Sequence, residues 1–176
     1  MLNNKIISAV ICVALSINVG KIPIKNKWEI EIPKIELKAQ IAEGTTKEVM
    51  DTHIGHFANT DLWSGNVGLA AHNRGYKVNY FKDLKKLEIG DEITYYYGLG
   101  IKNYKVSEIL IISDEDWSYL KNRKEENTIT LITCVENAPA LRRCIKGIEI
   151  TKKEEFKNEQ KNENINYFFS VTNDNV

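Results

Sequence analysis

Cys134 closes an apolar, β-branched run, Thr128 to Cys134 (TITLITC), and a polar turn, Glu136-Asn137-Ala138-Pro139, comes after it. A thiol at the end of a strand can face a groove. Its thiolate is a nucleophile when a proton acceptor or a cation stands nearby. The plain alternative is burial, the commonest fate of a free cysteine. His72 ends a second short apolar run, Asn66 to His72 (NVGLAAH), just before a turn at Asn73-Arg74-Gly75. If the two runs are parallel strands, their ends bring the imidazole beside the thiol. Arg142 and Arg143 follow a short turn after Cys134 and open the last strand. In a hairpin-like pair, one of them faces the same side as Cys134, where a guanidinium can hold a carbonyl or an oxyanion without losing its charge. A solvated pair of edge charges is the alternative there. His53 and His56 have HxxH spacing in a loop-like region, but no Cys or acidic cluster joins them, so neither a metal nor a cofactor is expected. Cys144 lies two residues past Arg142, on the same strand face; packing is its expected role, with a disulfide to Cys134 as the alternative.

The elements that must position these groups are mostly strands. Trp28 to Ile32 and Ile35 to Ala39 alternate apolar and polar residues, with Pro33 between them. Glu92 to Tyr97, a turn at Gly98-Leu99-Gly100, and a long strand from Lys102 to Ile112 come next. Thr128 to Cys134 and Leu141 to Ile150 complete the set. Tyr80 to Leu87 has helical spacing, and Asp114 to Leu120 reads as one or two helical turns capped by Ser113 or Asp114. Seven or eight short strands with brief helical connections predict an all-β, closed or nearly closed barrel.

The flanks differ from this middle. The chain has 176 residues, with 24 basic and 24 acidic side chains and a formal net charge of zero. That balance removes the simplest case for a nucleic-acid partner, and three cysteines cannot build a disulfide framework. Residues 6–19 are uncharged and almost wholly apolar. As a helix they span about 21 Å, or about 28 Å when extended to Ile24, against a hydrocarbon core of about 30 Å. An uncleaved membrane anchor or a cleaved signal peptide is expected, and either one exports the remainder of the chain. Lysines on both sides leave orientation open to charge alone. From Thr151 the chain is rich in Lys, Glu and Asn and reads as a polar, flexible tail, with an aromatic Tyr167-Phe168-Phe169 cluster. The expected organisation is therefore an anchor and linker over 1–27, a barrel over 28–150 and a tail over 151–176.

Thr130-Leu131-Ile132-Thr133-Cys134 resembles the TLxTC signature of sortases, the cysteine transpeptidases of Gram-positive surfaces. Gly68 to Asn73 resembles the family's segment ending in the active-site histidine. Gly55-His56-Phe57 and Ser64-Gly65-Asn66-Val67 resemble elements that precede it, and Asp91-Glu92-Ile93 resembles the start of the next strand. Arg142 stands five residues before Gly147, the offset kept by the family's arginine, which favours it over Arg143. The resemblance covers about Trp28 to Ile150. It implies an eight-stranded sortase-like barrel in which Cys134 attacks the Thr–Gly bond of an LPxTG-like sorting signal, forming a thioacyl intermediate. His72 protonates the leaving amine, Arg142 holds the carbonyl or oxyanion, and Ala71, Thr133 and residues 113–127 line the substrate groove. The implied partners are sorting-signal proteins, an amine of a peptidoglycan precursor or a pilin, and the membrane, with the catalytic domain outside the cell. No acidic cluster matches the calcium site of some class A members, the N-terminal region is short for class B, and no lid typical of class C precedes the barrel. A class D-like member is expected. A thiol hydrolase of the same fold and a non-enzymatic surface domain are the alternatives. An L,D-transpeptidase is disfavoured because its SHGC-type motif is missing.

Overall fold

A computed structural model describes residues 26–121 and 126–151. The apolar segment 6–19 and the tail beyond Thr151 lie outside the described residues. Within them, no helix is long and apolar enough to cross a membrane.

The described residues form eight strands: β1 (Lys27–Ile32), β2 (Leu37–Glu43), β3 (Ile54–His56), β4 (Asn66–Ala70), β5 (Glu92–Gly98), β6 (Gly100–Ser113), β7 (Thr128–Val135) and β8 (Ala138–Glu149). They close into a barrel in the order β1-β2-β3-β4-β7-β8-β6-β5. Most neighbours are antiparallel, as hairpins require. Two pairs, β2 with β3 and β4 with β7, are parallel.

The period-two pattern builds the interior. Ile30, Ile32, Ile93, Tyr95 and Tyr104 are buried in it and meet Val67, Leu69, Ile129, Leu131 and Ile145 from the other half of the barrel. The run Tyr80 to Leu87, whose spacing suggests a helix, is instead a series of turns with a single 3-10 turn, Leu84–Lys86. It is too short to stand as a helix, yet it delivers Phe81, Leu84 and Leu87 into the same core.

Three local features depart from the sequence expectation. The strand expected from Ile35 begins at Leu37, because Pro33 opens a 3-10 turn and Glu36 reverses the chain with φ of 51°. A four-residue helix, α1 (Lys47–Met50), follows β2, with the Thr46 hydroxyl accepting the Val49 N–H. His53 and His56, read as loop residues, flank and end β3, where they turn to different partners. His53 Nδ1 meets the Thr52 hydroxyl at 2.9 Å, and buried His56 Nδ1 meets Glu43 Oε2 at 2.9 Å. Gly55 between them has no alternative, because an added Cβ would strike the Gly44 carbonyl oxygen.

A smaller core lies outside the barrel wall. β7 buries both faces: Ile129 and Leu131 point inward, while Ile132 packs with Ile112, Leu120 and Cys144 beneath the connection from β6 to β7. A polar cluster ties that connection down. The Asn66 amide donates to the Tyr119 carbonyl at 3.0 Å, and the Thr128 and Thr130 hydroxyls donate to Asn66 Oδ1 at 3.0 and 2.8 Å. In the connection, Ser113 accepts the Glu115 N–H at 3.3 Å, and Asp116 rather than Asp114 accepts the Ser118 N–H at 3.0 Å, ahead of the 3-10 turn Ser118–Leu120. Gly68 leaves room for this covering stretch of chain, since a Cβ there would lie 2.9 Å from both Leu120 Cδ2 and Thr60 Cγ2.

Leu131 is fully buried and Ile111 is 49% exposed. Leu131→Ala is therefore expected to cost about 2–5 kcal/mol of stability, and Ile111→Ala less than about 1 kcal/mol, as most exposed substitutions do. Urea unfolding of the two variants against the parent measures both.

Candidate active site

The parallel ladder between β4 and β7 runs from Asn66 opposite Thr128 to Ala70 opposite Ile132. Two residues further on, the same register sets His72 level with Cys134. Side chains continue the ladder where backbone pairing stops. The Thr133 hydroxyl donates to the Ala71 carbonyl at 2.7 Å, and the Asn73 amide donates to the Cys134 carbonyl at 2.8 Å. Arg74 donates to Asn137 Oδ1 through both terminal nitrogens at 3.3 Å, which ties the turn after His72 to the turn after Cys134.

β8 returns antiparallel to β7, with Cys134 directly opposite Arg142 and Thr133 opposite Arg143. Alternation then puts Arg142 on the face of Cys134 and Arg143 on the other. The tight reversal uses Asn137 at φ of 61°, a left-handed position that asparagine tolerates. Cys134, His72 and Arg142 line one cavity of about 240 Å³ on the outer wall. Its apolar side is made by Phe57, Ala70, Ile112, Trp117 and Ile132, with Asp114 and Asp116 also present. Ala71 and Thr133 line the same cavity and are both 4% exposed, with the Thr133 hydroxyl engaged by Ala71. Of residues 113–127, Ser113, Asp114, Asp116 and Trp117 reach it.

The three central groups sit in different electrostatic surroundings. Cys134 is exposed and carries a free thiol. Arg142 Nη1 donates to the carbonyls of Pro139 and Leu141 at 2.7 and 2.9 Å, and Nη2 donates to Asp114 Oδ2 at 3.4 Å. A guanidinium has five N–H donors, so these bonds aim the cation while leaving it capacity for a further oxygen. The His72 ring stacks on Tyr76, with centroids 3.5 Å apart and planes 6° apart. Burial holds the imidazole below its ordinary range. The Asp51 charge opposes that shift, and the Lys47 charge adds to it.

Cys144 lies opposite Ile132 on β8 and is fully buried, also as a free thiol. Burial pushes it up to about 12, so it stays protonated at neutral pH and serves packing. Sequence reasoning gave no site role to Asn73, Tyr76 or Asp51, and it named Asp114 only as a helix cap and within the groove segment 113–127. Asn73 had a signal in its position next to His72. Asp51 had one in its place four residues after Lys47, the spacing of a helical ion pair.

Residues 30–147 match the Sortase domain family. Over 115 residues the chain is 28% identical to Sortase D of Bacillus subtilis (strain 168), a match covering 62% of this chain and 57% of that protein. The chain thus spans little more than half the length of that curated relative. Its fold is similar to the crystal structure of sortase C1 from Streptococcus suis, with a TM-score of 0.67 and 26% identity over 73% of this chain and 74% of the other. Sortase C1 from Streptococcus agalactiae is similar to the same degree, with a TM-score of 0.67 and 28% identity over 72% of this chain and 68% of the other.

The contrast between the two thiols is directly measurable. Under native conditions iodoacetamide is expected to modify Cys134 and leave Cys144 intact, and both are expected to react in urea. Peptide mapping by mass spectrometry reads the two sites separately. Equal native reactivity would contradict the burial of Cys144.

Proposed function

Because the chain belongs to the sortase family, we propose that it is a class D-like cysteine transpeptidase that cleaves an LPxTG-like sorting signal between Thr and Gly and transfers the new carboxyl end to an amine. The observation that carries this reading is the convergence of Cys134, His72 and Arg142 from three strand ends on one outer cavity. An exposed Cys134 also speaks against a surface domain with an inert, buried cysteine.

The chemistry follows from the placement. The Cys134 thiolate attacks the scissile carbonyl, forming a C–S bond and an oxyanion, which Arg142 receives. Collapse of the tetrahedral intermediate breaks the C–N bond, and the His72 imidazolium gives its proton to the departing amine. The neutral imidazole then accepts a proton from the incoming amine, which attacks the thioester, forms the new amide and releases Cys134. The apolar wall of Phe57, Ile112, Trp117 and Ile132 suits the Leu-Pro portion of such a signal. Ala71 and Thr133 contribute by fixing the cavity floor between His72 and Cys134. In this reading residues 6–19 hold the enzyme at the membrane with the barrel outside the cell, where sorting-signal proteins and cell-wall or pilin amines meet it.

Incubation with LPxTG-type peptides and glycine or diaminopimelate-type amines tests the proposal. A thioacyl adduct on Cys134 and an amide product are expected by mass spectrometry. Cys134→Ala is expected to form neither. Arg142→Lys is expected to lower kcat by about 10²–10³-fold, the usual cost of one oxyanion donor. An acid product even with excess amine would point to a hydrolase of the same fold. No adduct across a peptide panel, with Cys134→Ala indistinguishable from the parent, would overturn the reading.

A further inference from the structure

We infer that Asp51 is a positioning residue for His72, its carboxylate orienting the imidazole through Nε2 and favouring the protonated ring. The inference rests on the transpeptidase reading, in which His72 must carry a proton to the leaving amine.

Four observations bring the two residues together. Asp51 ends α1, and its N–H is held by the carbonyls of Lys47 and Val49, so the backbone fixes where the side chain starts. Asp51 Oδ2 is bound by Lys47 Nζ at 2.6 Å, which leaves Oδ1 directed elsewhere. Asp51 Oδ1 lies 3.9 Å from His72 Nε2. Both of those atoms are buried and without a hydrogen-bond partner. Buried polar atoms are nearly always paired, and each of these two is the group the other lacks. Hydrogen bonds form at about 2.7–3.2 Å, so a movement of about 1 Å joins them. The Tyr76 stack covers a face of the imidazole and holds its plane, leaving in-plane adjustment open.

The surrounding charges define what Asp51 must overcome. Burial disfavours the imidazolium, and Lys47 on α1 disfavours it further. Across the cavity stand Cys134 on β7, Arg142 on β8, and Asp114 and Asp116 after β6, with Tyr76 on the stacked face. Asp51 is the acidic group that meets the ring edge, and it does not line the substrate cavity. It therefore acts through His72 rather than on the substrate.

The test uses the full-length chain with labelled histidine, following the His72 ring by NMR titration and assigning it with His72→Gln. Asp51→Asn is expected to lower the His72 midpoint, Asp51→Glu to retain most of it, and Lys47→Met to raise it. With an LPxTG-type peptide, Asp51→Asn is expected to lower the maximum of the kcat/KM profile about tenfold, a fraction of a general acid's usual contribution, and to move its acid limb to lower pH. A loss of height without movement of that limb, or a His72 midpoint the same in Asp51→Asn and the parent, overturns the inference. Should the parent itself fail to turn over peptide, the transpeptidase reading falls while the ring titration still decides whether Asp51 and His72 are coupled.

Discussion

The parallel pairing of β4 with β7 is the constraint on which the rest of the structure depends. Parallel strands end on the same side of a sheet, so two residues far apart in sequence finish side by side only if the chain between them crosses over. Here the crossover is the stretch that supplies β5 and β6. Antiparallel β8 then comes back past the end of β7 and adds Arg142 to the same place. Three chemically unlike groups meet because two strands finish together and a third starts there. The bonds from Thr133 to Ala71 and from Asn73 to Cys134 preserve this alignment past the last backbone pair.

A strand that presents chemistry on one face and core on the other needs something over both. β7 has the barrel interior on one side and the connection from β6 on the other. The outer cover rests on Asn66, whose amide N–H holds the Tyr119 carbonyl and whose Oδ1 accepts from the Thr128 and Thr130 hydroxyls. Neutral hydrogen bonds of this kind contribute about 0.5–1.5 kcal/mol each, but their larger effect is to set the height of one cavity wall. Trp117, two residues before Tyr119, is placed by that anchoring and meets Phe57 edge-on at 5.9 Å. Polar residues beneath the connection thereby shape the apolar side of the groove.

Much of this was legible from residue order, for identifiable reasons. Alternation marked β1 and the start of β2, while the apolar, β-branched run of Thr128 to Cys134 marked β7. Strand ends marked Cys134 and His72, and the family-like offset of Arg142 from Gly147 favoured it over Arg143, as the pairing of Cys134 with Arg142 does in the structure. The hidden parts were short or tertiary in origin. α1 and β3 have four and three residues, too few for any period to register. β3 exists because β2 and β4 offer it hydrogen bonds on both edges. Tyr80 to Leu87 shows apolar spacing that a helix and a sequence of tight turns satisfy equally, and the barrel core takes its side chains in the second form. Without α1, nothing in the sequence could connect Asp51 with a histidine more than twenty residues away.

The burial of Cys144 has a consequence for redox chemistry. Reversible repair of an oxidised cysteine commonly uses a second thiol close by, which condenses with the sulfenic acid and releases water. Cys144 shares the outer face with Cys134, but it is sealed under Ile132 and the β6 connection and held in its protonated form. Among the described residues these are the two cysteines, so an oxidant entering the groove meets a thiol with no resolving partner at hand. Among the described residues nothing else resolves an oxidised Cys134, and a small thiol that does so must enter by the same groove.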